Sequence, residues 1–83
     1  MATLEDVIEA ARRLVEQPLS FSLESFLRVV EDYVNSLPEN LKESYFGVMA
    51  GPYRKAVKRK DLPRALREDP EFRERFIRFL VEE

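Results

Sequence analysis

Residues 41–60 read LKESYFGVMAGPYRKAVKRK, and the fold class turns on how this stretch is taken. Leu41, Tyr45, Val48 and Met49 recur at helical spacing, and Ala50-Gly51 follows them as a glycine stop. Pro52 suits the first turn of a new helix. The spacing therefore predicts a third helix ending at Gly51, and a short basic helix from Pro52 through about Lys60. No run alternates with period 2 and then turns, so no strand is expected. The resulting expectation is an all-α chain, a compact bundle of four to five short helices in a single domain over residues 1–83.

The basic segment raises the first functional question. Ala50 to Leu66 hold six cations and one acid, in a chain of formal net charge −2. As a helix, this segment turns Tyr53, Ala56 and Val57 inward. It spreads Arg54, Lys55, Lys58 and Arg59 over the outer face, with Lys60 at the end. Residues 41–60 partly fit a helix-turn-helix, with Gly47 as the small residue of the first helix, Gly51 at the turn and Val57 inside the second. Two departures stand out: Pro52 follows the turn glycine, and Lys60 occupies a position that should be apolar to seat the recognition helix. The candidate nucleic-acid contacts are Arg54, Lys55, Lys58, Arg59, Lys60, Arg64 and Arg67. Against them, Asp61, Glu68 and Asp69 interrupt the patch, and a pI near 5.3 is unlike that of a dedicated nucleic-acid binder. Cations also favour a helix C-terminus without any ligand.

The rest of the chain is punctuated by proline and by caps. Thr3 reads as an N-cap, with Glu5 and Asp6 in the first turn. Leu4, Val7, Ile8, Ala11, Leu14 and Val15 form a one-sided stripe that ends before Pro18. Ser22 opens a second helix, and Phe21 and Phe26 have hydrophobic-staple spacing around it. Its stripe runs Leu23, Phe26, Leu27, Val30, Tyr33, Val34 and Leu37, widened by Val29, which predicts a central position. Ser36 and Glu39 have capping-box spacing for the third helix. Asp61-Leu62-Pro63 starts a brief turn of helix over 64–68, and Asp69 caps a last helix over 70–82. No internal repeat or low-complexity segment is present.

Composition excludes several chemistries. The chain has no cysteine and no histidine, which removes thiolate sites and the commonest general base and metal ligand. Neither a signal peptide nor a membrane span is read from the apolar runs, so a cytoplasmic protein with no membrane partner is expected. Asp6 with Glu9, or Glu31 with Asp32, would suit magnesium-dependent chemistry only if they converged inward. Their placement opposite the apolar stripe predicts a solvated face instead. Ser20, Ser22 and Ser25 have no histidine partner, and no glycine-rich phosphate loop exists. No enzyme and no cofactor are expected. The excess of arginine over lysine and the scarcity of amides fit a thermophile, and fit a GC-rich genome equally well.

Charge is divided along the chain. Residues 1–50 carry nine acids against four bases, a net of −5, and residues 51–83 carry ten bases against seven acids, a net of +3. The halves suit packing within one chain or pairing between chains. In the last helix Phe72, Phe76, Phe79 and Leu80 form one stripe, and Ile77 and Val81 widen it to about half the circumference. Arg73 falls inside that arc. So broad an apolar surface is either wrapped by neighbouring helices or buried against another chain, where aromatics and arginine are enriched. With Phe46, these six residues are the candidate partner interface. The expected function is a small non-enzymatic interaction subunit, self-associating or docking onto a larger complex. The alternative is a nucleic-acid-binding protein using residues 41–67.

Overall fold

A computed structural model describes residues 1–82 and corrects the fold class: the chain is 63% helical, with five helices and a two-stranded antiparallel sheet. Helix α1 spans Leu4–Glu16, α2 Leu23–Asn35 and α3 Glu39–Lys42. Strands β1 (Tyr45–Ala50) and β2 (Tyr53–Lys58) follow. A 3-10 turn over Arg59–Asp61 leads into α4 (Leu62–Glu68), and α5 (Pro70–Val81) ends the described chain.

The predicted third helix is thus one turn, and its second half and the whole basic helix are a β-hairpin. Ala50 pairs with Tyr53, leaving Gly51 and Pro52 as a two-residue turn. Gly51 has φ +61° and is the one described residue with positive φ. A positive φ at the first central residue alone is the II′ pattern, which matches the twist of paired strands. Glycine supplies the left-handed conformation and proline fixes the second position.

Once the backbone is extended, side chains alternate. Phe46 and Val48 turn inward, 8% and 0% exposed, while Tyr45 and Met49 are 62% and 61% exposed. This explains why Phe46 lies off the helical stripe of its neighbours. On β2, Tyr53, Lys55 and Val57 share the inner face, and Arg54, Ala56 and Lys58 share the outer face. The outward position of Ala56 reverses the helical expectation.

The helical expectations outside this stretch hold well. Thr3 and Asp6 form a reciprocal capping box. Ser22 Oγ accepts from the Ser25 N–H at 3.1 Å. Asp69 Oδ1 accepts from the Phe72 N–H at 3.1 Å. Ser36 departs from its expected role: its hydroxyl donates to the carbonyls of Tyr33 (2.9 Å) and Ala2 (3.2 Å), closing α2 rather than opening α3.

The core joins α2 and α5, as their stripes predict. Phe26, Leu27, Val30, Tyr33 and Val34 come from α2, and Phe72, Phe76 and Leu80 from α5. Val7, Ala10 and Ala11 of α1 close one side, and Leu62 and Leu66 of α4 another. Phe76 is the aromatic hub, with ring centroids 6.4 Å from Phe26, 5.2 Å from Phe46 and 5.9 Å from Phe72. The hairpin rests its inner face on this hub.

Candidate functional site: an apolar groove and a basic hairpin

The broad apolar arc of α5 divides into an enclosed part and a part-exposed one. Phe72, Phe76 and Leu80 are 0%, 1% and 3% exposed, and Phe46 is nearly as enclosed, so these four are interior in the monomer. Ile77 and Val81 are half-buried, and Phe79 is exposed. Ile77 and Val81 line an open groove of about 490 Å³ together with Leu14 and Val15 from the end of α1. Val15 is 53% exposed. Leu14, Ile77 and Val81 pack on the edge of the core while Val15 lies outside it, and the described residues that line the groove come from the α1 and α5 segments alone.

Three of the four charged side chains that line the groove pair with one another. Arg78 meets Glu74 at 3.0 Å and Glu82 at 4.0 Å. Arg73, the cation inside the apolar arc, donates to the Leu66 carbonyl at 3.1 Å and so satisfies the end of α4. Its place in the arc is therefore structural. Among the described residues the lining holds two bases and two acids, and the floor is aliphatic.

The seven candidate nucleic-acid contacts are scattered by the hairpin. Lys55 lies on the inner face, forms an ion pair with Asp69 and sits 5.4 Å from the Phe72 ring. Arg59 donates to Ser44 Oγ at 2.8 Å and to the Tyr45 carbonyl at 2.9 Å, and stacks 5.4 Å over Phe46. Lys58 and Lys60 both grip Glu43, at 3.0 and 2.8 Å. Arg64 pairs with Asp61 at 3.4 Å. Arg67 bridges Glu24 (2.7 Å) and Glu31 (3.7 Å) on α2. Arg54 contacts only the Met49 thioether, at 3.1 Å, and remains exposed on the outer sheet face. Lys58, Lys60 and Arg67 of the second half thus meet acids of the first, whereas Lys55 and Arg64 meet acids of their own half.

Titration follows these contacts. The Lys60 and Lys58 ammonium groups hold the Glu43 carboxyl below its usual range. The Lys55 ammonium, and then the Phe72 N–H, do the same for Asp69. Lys55 and Lys58 are raised by hydrogen bonds to those carboxylates. Burial, followed by the Asp69 charge, raises the Tyr53 phenol. All are partners in ion pairs or neighbours of one, and none lines the α1–α5 groove.

The carboxylates weighed for metal chemistry lie apart from one another in role. Asp6 caps α1, Glu31 meets Arg67, and Asp32 lies 3.9 Å from the N-terminal amine. Glu9 is exposed. Among the described residues no cluster of three metal-ligating side chains forms, and no helix is long and apolar enough to cross a membrane. Comparison with known proteins found no matching family model, no matching curated protein and no matching solved structure.

The α1–α5 groove was not legible as such in the sequence. Its signal was the wide arc of α5, which could be divided only once the partners of each position were known.

Proposed function

We propose that this chain is a small non-catalytic interaction subunit that seats an amphipathic helix of a protein partner in the α1–α5 groove. The observation that carries the reading is the pairing of Ile77 and Val81 with Leu14 and Val15 in an open aliphatic groove between two helices. Helix-in-groove recognition uses such surfaces, with apolar anchors spaced by one helical turn. The self-neutralised rim leaves the partner's fit to apolar contact rather than to charge. A nucleic-acid role ranks lower because six of the seven candidate cations are engaged by oxygens of the same chain.

The test is affinity capture from the native host with the wild type and with the Ile77→Glu/Val81→Glu variant, each checked by far-UV circular dichroism. A specific protein retained by the wild type and lost from the folded variant supports the reading. A captured protein that the variant holds equally well refutes the groove as its seat. Loss of helicity in the variant would mean that both positions belong to the core.

A further inference from the structure

We propose that β1 is a self-association edge, and that two copies of this chain join β1 to β1 antiparallel into a continuous four-stranded sheet. The phase of the hairpin sets this up. A two-residue turn makes Ala50 and Tyr53 a hydrogen-bonded pair, and antiparallel pairs alternate between bonded and non-bonded. Val48 with Lys55, and Phe46 with Val57, are then bonded pairs as well. The Arg59 N–H donating to the Ser44 carbonyl at 2.8 Å continues the same phase. Tyr45, Gly47 and Met49 therefore aim their N–H and C=O groups away from β2. The Tyr45 carbonyl accepts from Arg59. The main-chain groups of Gly47 and Met49 have no partner among the described residues.

Free edges are usually guarded by charge. β2 is guarded: Arg54, Lys55 and Lys58 lie along it. β1, YFGVMA, has neither a charge nor a proline. Two β2 edges would bring three cations of each copy together, whereas β1 brings only the Arg59 guanidinium, already engaged by the Tyr45 carbonyl at one end of the edge. A register centred on Gly47 sets the three outward residues of one copy against those of the other. Gly47 then faces Gly47, and Tyr45 faces Met49 twice, a favourable sulfur–aromatic pairing. Phe79, exposed beside Phe46, lines a cavity with Met49.

Gly47 supports the same reading. Its φ is not positive, and a Cβ there would meet only the Ala56 Cβ at 4.0 Å, an ordinary contact. Nothing within the monomer requires glycine, although it weakens a strand. In the joined sheet Ala56, Gly47, Gly47 and Ala56 form a flat row of small side chains between two Tyr45–Met49 walls.

Sedimentation at high concentration tests this with the full chain. The wild type is expected to dimerise. Tyr45→Glu/Met49→Glu places its new carboxylates opposite Lys58 and Arg54 within the monomer, but opposite each other across the dimer. It should weaken association roughly tenfold or more while circular dichroism is unchanged. Gly47→Pro removes an N–H that no bond within the monomer uses and should have the same effect. A wild type that stays monomeric overturns the proposal. So does a dimer that survives both variants, or one lost only in Ile77→Glu/Val81→Glu, which would place self-association at the groove.

Discussion

Replacing Phe76 with alanine separates an enclosed α5 stripe from one that is enclosed only by a partner. Phe76 is 1% exposed and touches three other rings. Phenylalanine-to-alanine changes in a core cost about 3–5 kcal/mol, with the upper part of the range where the site cannot collapse. Here the cavity would be bounded by Phe26, Phe46 and Phe72, drawn from three elements, so about 4 kcal/mol is expected. A chain of 83 residues has a total stability of roughly 4–12 kcal/mol. The variant therefore lies near the edge of folding. With a urea dependence of about 1 kcal/mol per M for a small domain, the midpoint should fall by about 3–4 M. Phe76→Leu keeps most of the volume and loses the ring contacts, for about 1–2 kcal/mol. Half-buried Ile77, changed to alanine, should cost only about 1 kcal/mol. Urea melts followed by circular dichroism at low protein concentration read all three. If Phe76→Ala costs no more than Ile77→Ala in a monomeric sample, the stripe is not enclosed within the chain, and the division of α5 into core and groove is wrong.

Gly47→Val should stabilise the monomer more than Gly47→Ala, because a strand favours β-branched residues by up to about 1 kcal/mol and a helix ranks the two in reverse. Thermal melts of the two variants give the order. Asp69 and Glu43 have lowered values in the folded chain, so the unfolded chain binds more protons as the pH drops. Their stabilisation is complete above the ordinary carboxylate range near 4 and is lost as the pH falls through the lowered folded values. Asp69→Asn, which retains a capping oxygen, should flatten that acid limb in urea melts taken from neutral pH downward. Binding of a labelled duplex should be weak or absent at physiological salt. Arg54→Ala/Lys58→Ala is the informative variant, because Lys60 still holds Glu43 when Lys58 is removed, whereas changing Lys55 and Arg59 removes their contacts with Asp69 and with Ser44 and Tyr45. Tight binding in anisotropy titrations that this pair abolishes would put nucleic acid first; at four or five phosphate contacts the log–log salt slope would be about −4.

Local chemistry made most of the helices legible. Thr3, Ser22 and Asp69 are side chains that satisfy orphan N–H groups, and they opened helices where expected. The central place of α2 followed from the width of its stripe. The hairpin was hidden for two physical reasons. Tyr45 and Met49 are apolar on the outer face, so 45, 48 and 49 imitate a helical stripe instead of alternating with polar residues. Gly51-Pro52 fits both a helix stop and start and a two-residue strand turn, and only the left-handed φ of Gly51 paired with strand on either side selects the second. Ser36 shows the same ambiguity, since its hydroxyl donates backward as readily as it accepts forward. The site residues suffered accordingly. Helical spacing puts Arg54, Lys55, Lys58 and Arg59 on one face, whereas strand parity and ion pairing send them to different faces. Phe46 was read as spare apolar surface, whereas the strand turns it onto Phe76.

The hairpin carries both the dispersal of the basic residues and the free β1 edge, and cross-strand proton contacts test it most directly. In a nuclear Overhauser spectrum, the non-bonded pairs Gly47–Ala56 and Met49–Arg54 should give strong Hα–Hα contacts, the signature of close antiparallel pairing. Absence of both, with sequential helical contacts running through residues 45–50 and 53–58, would contradict the hairpin and restore the helical reading of this segment.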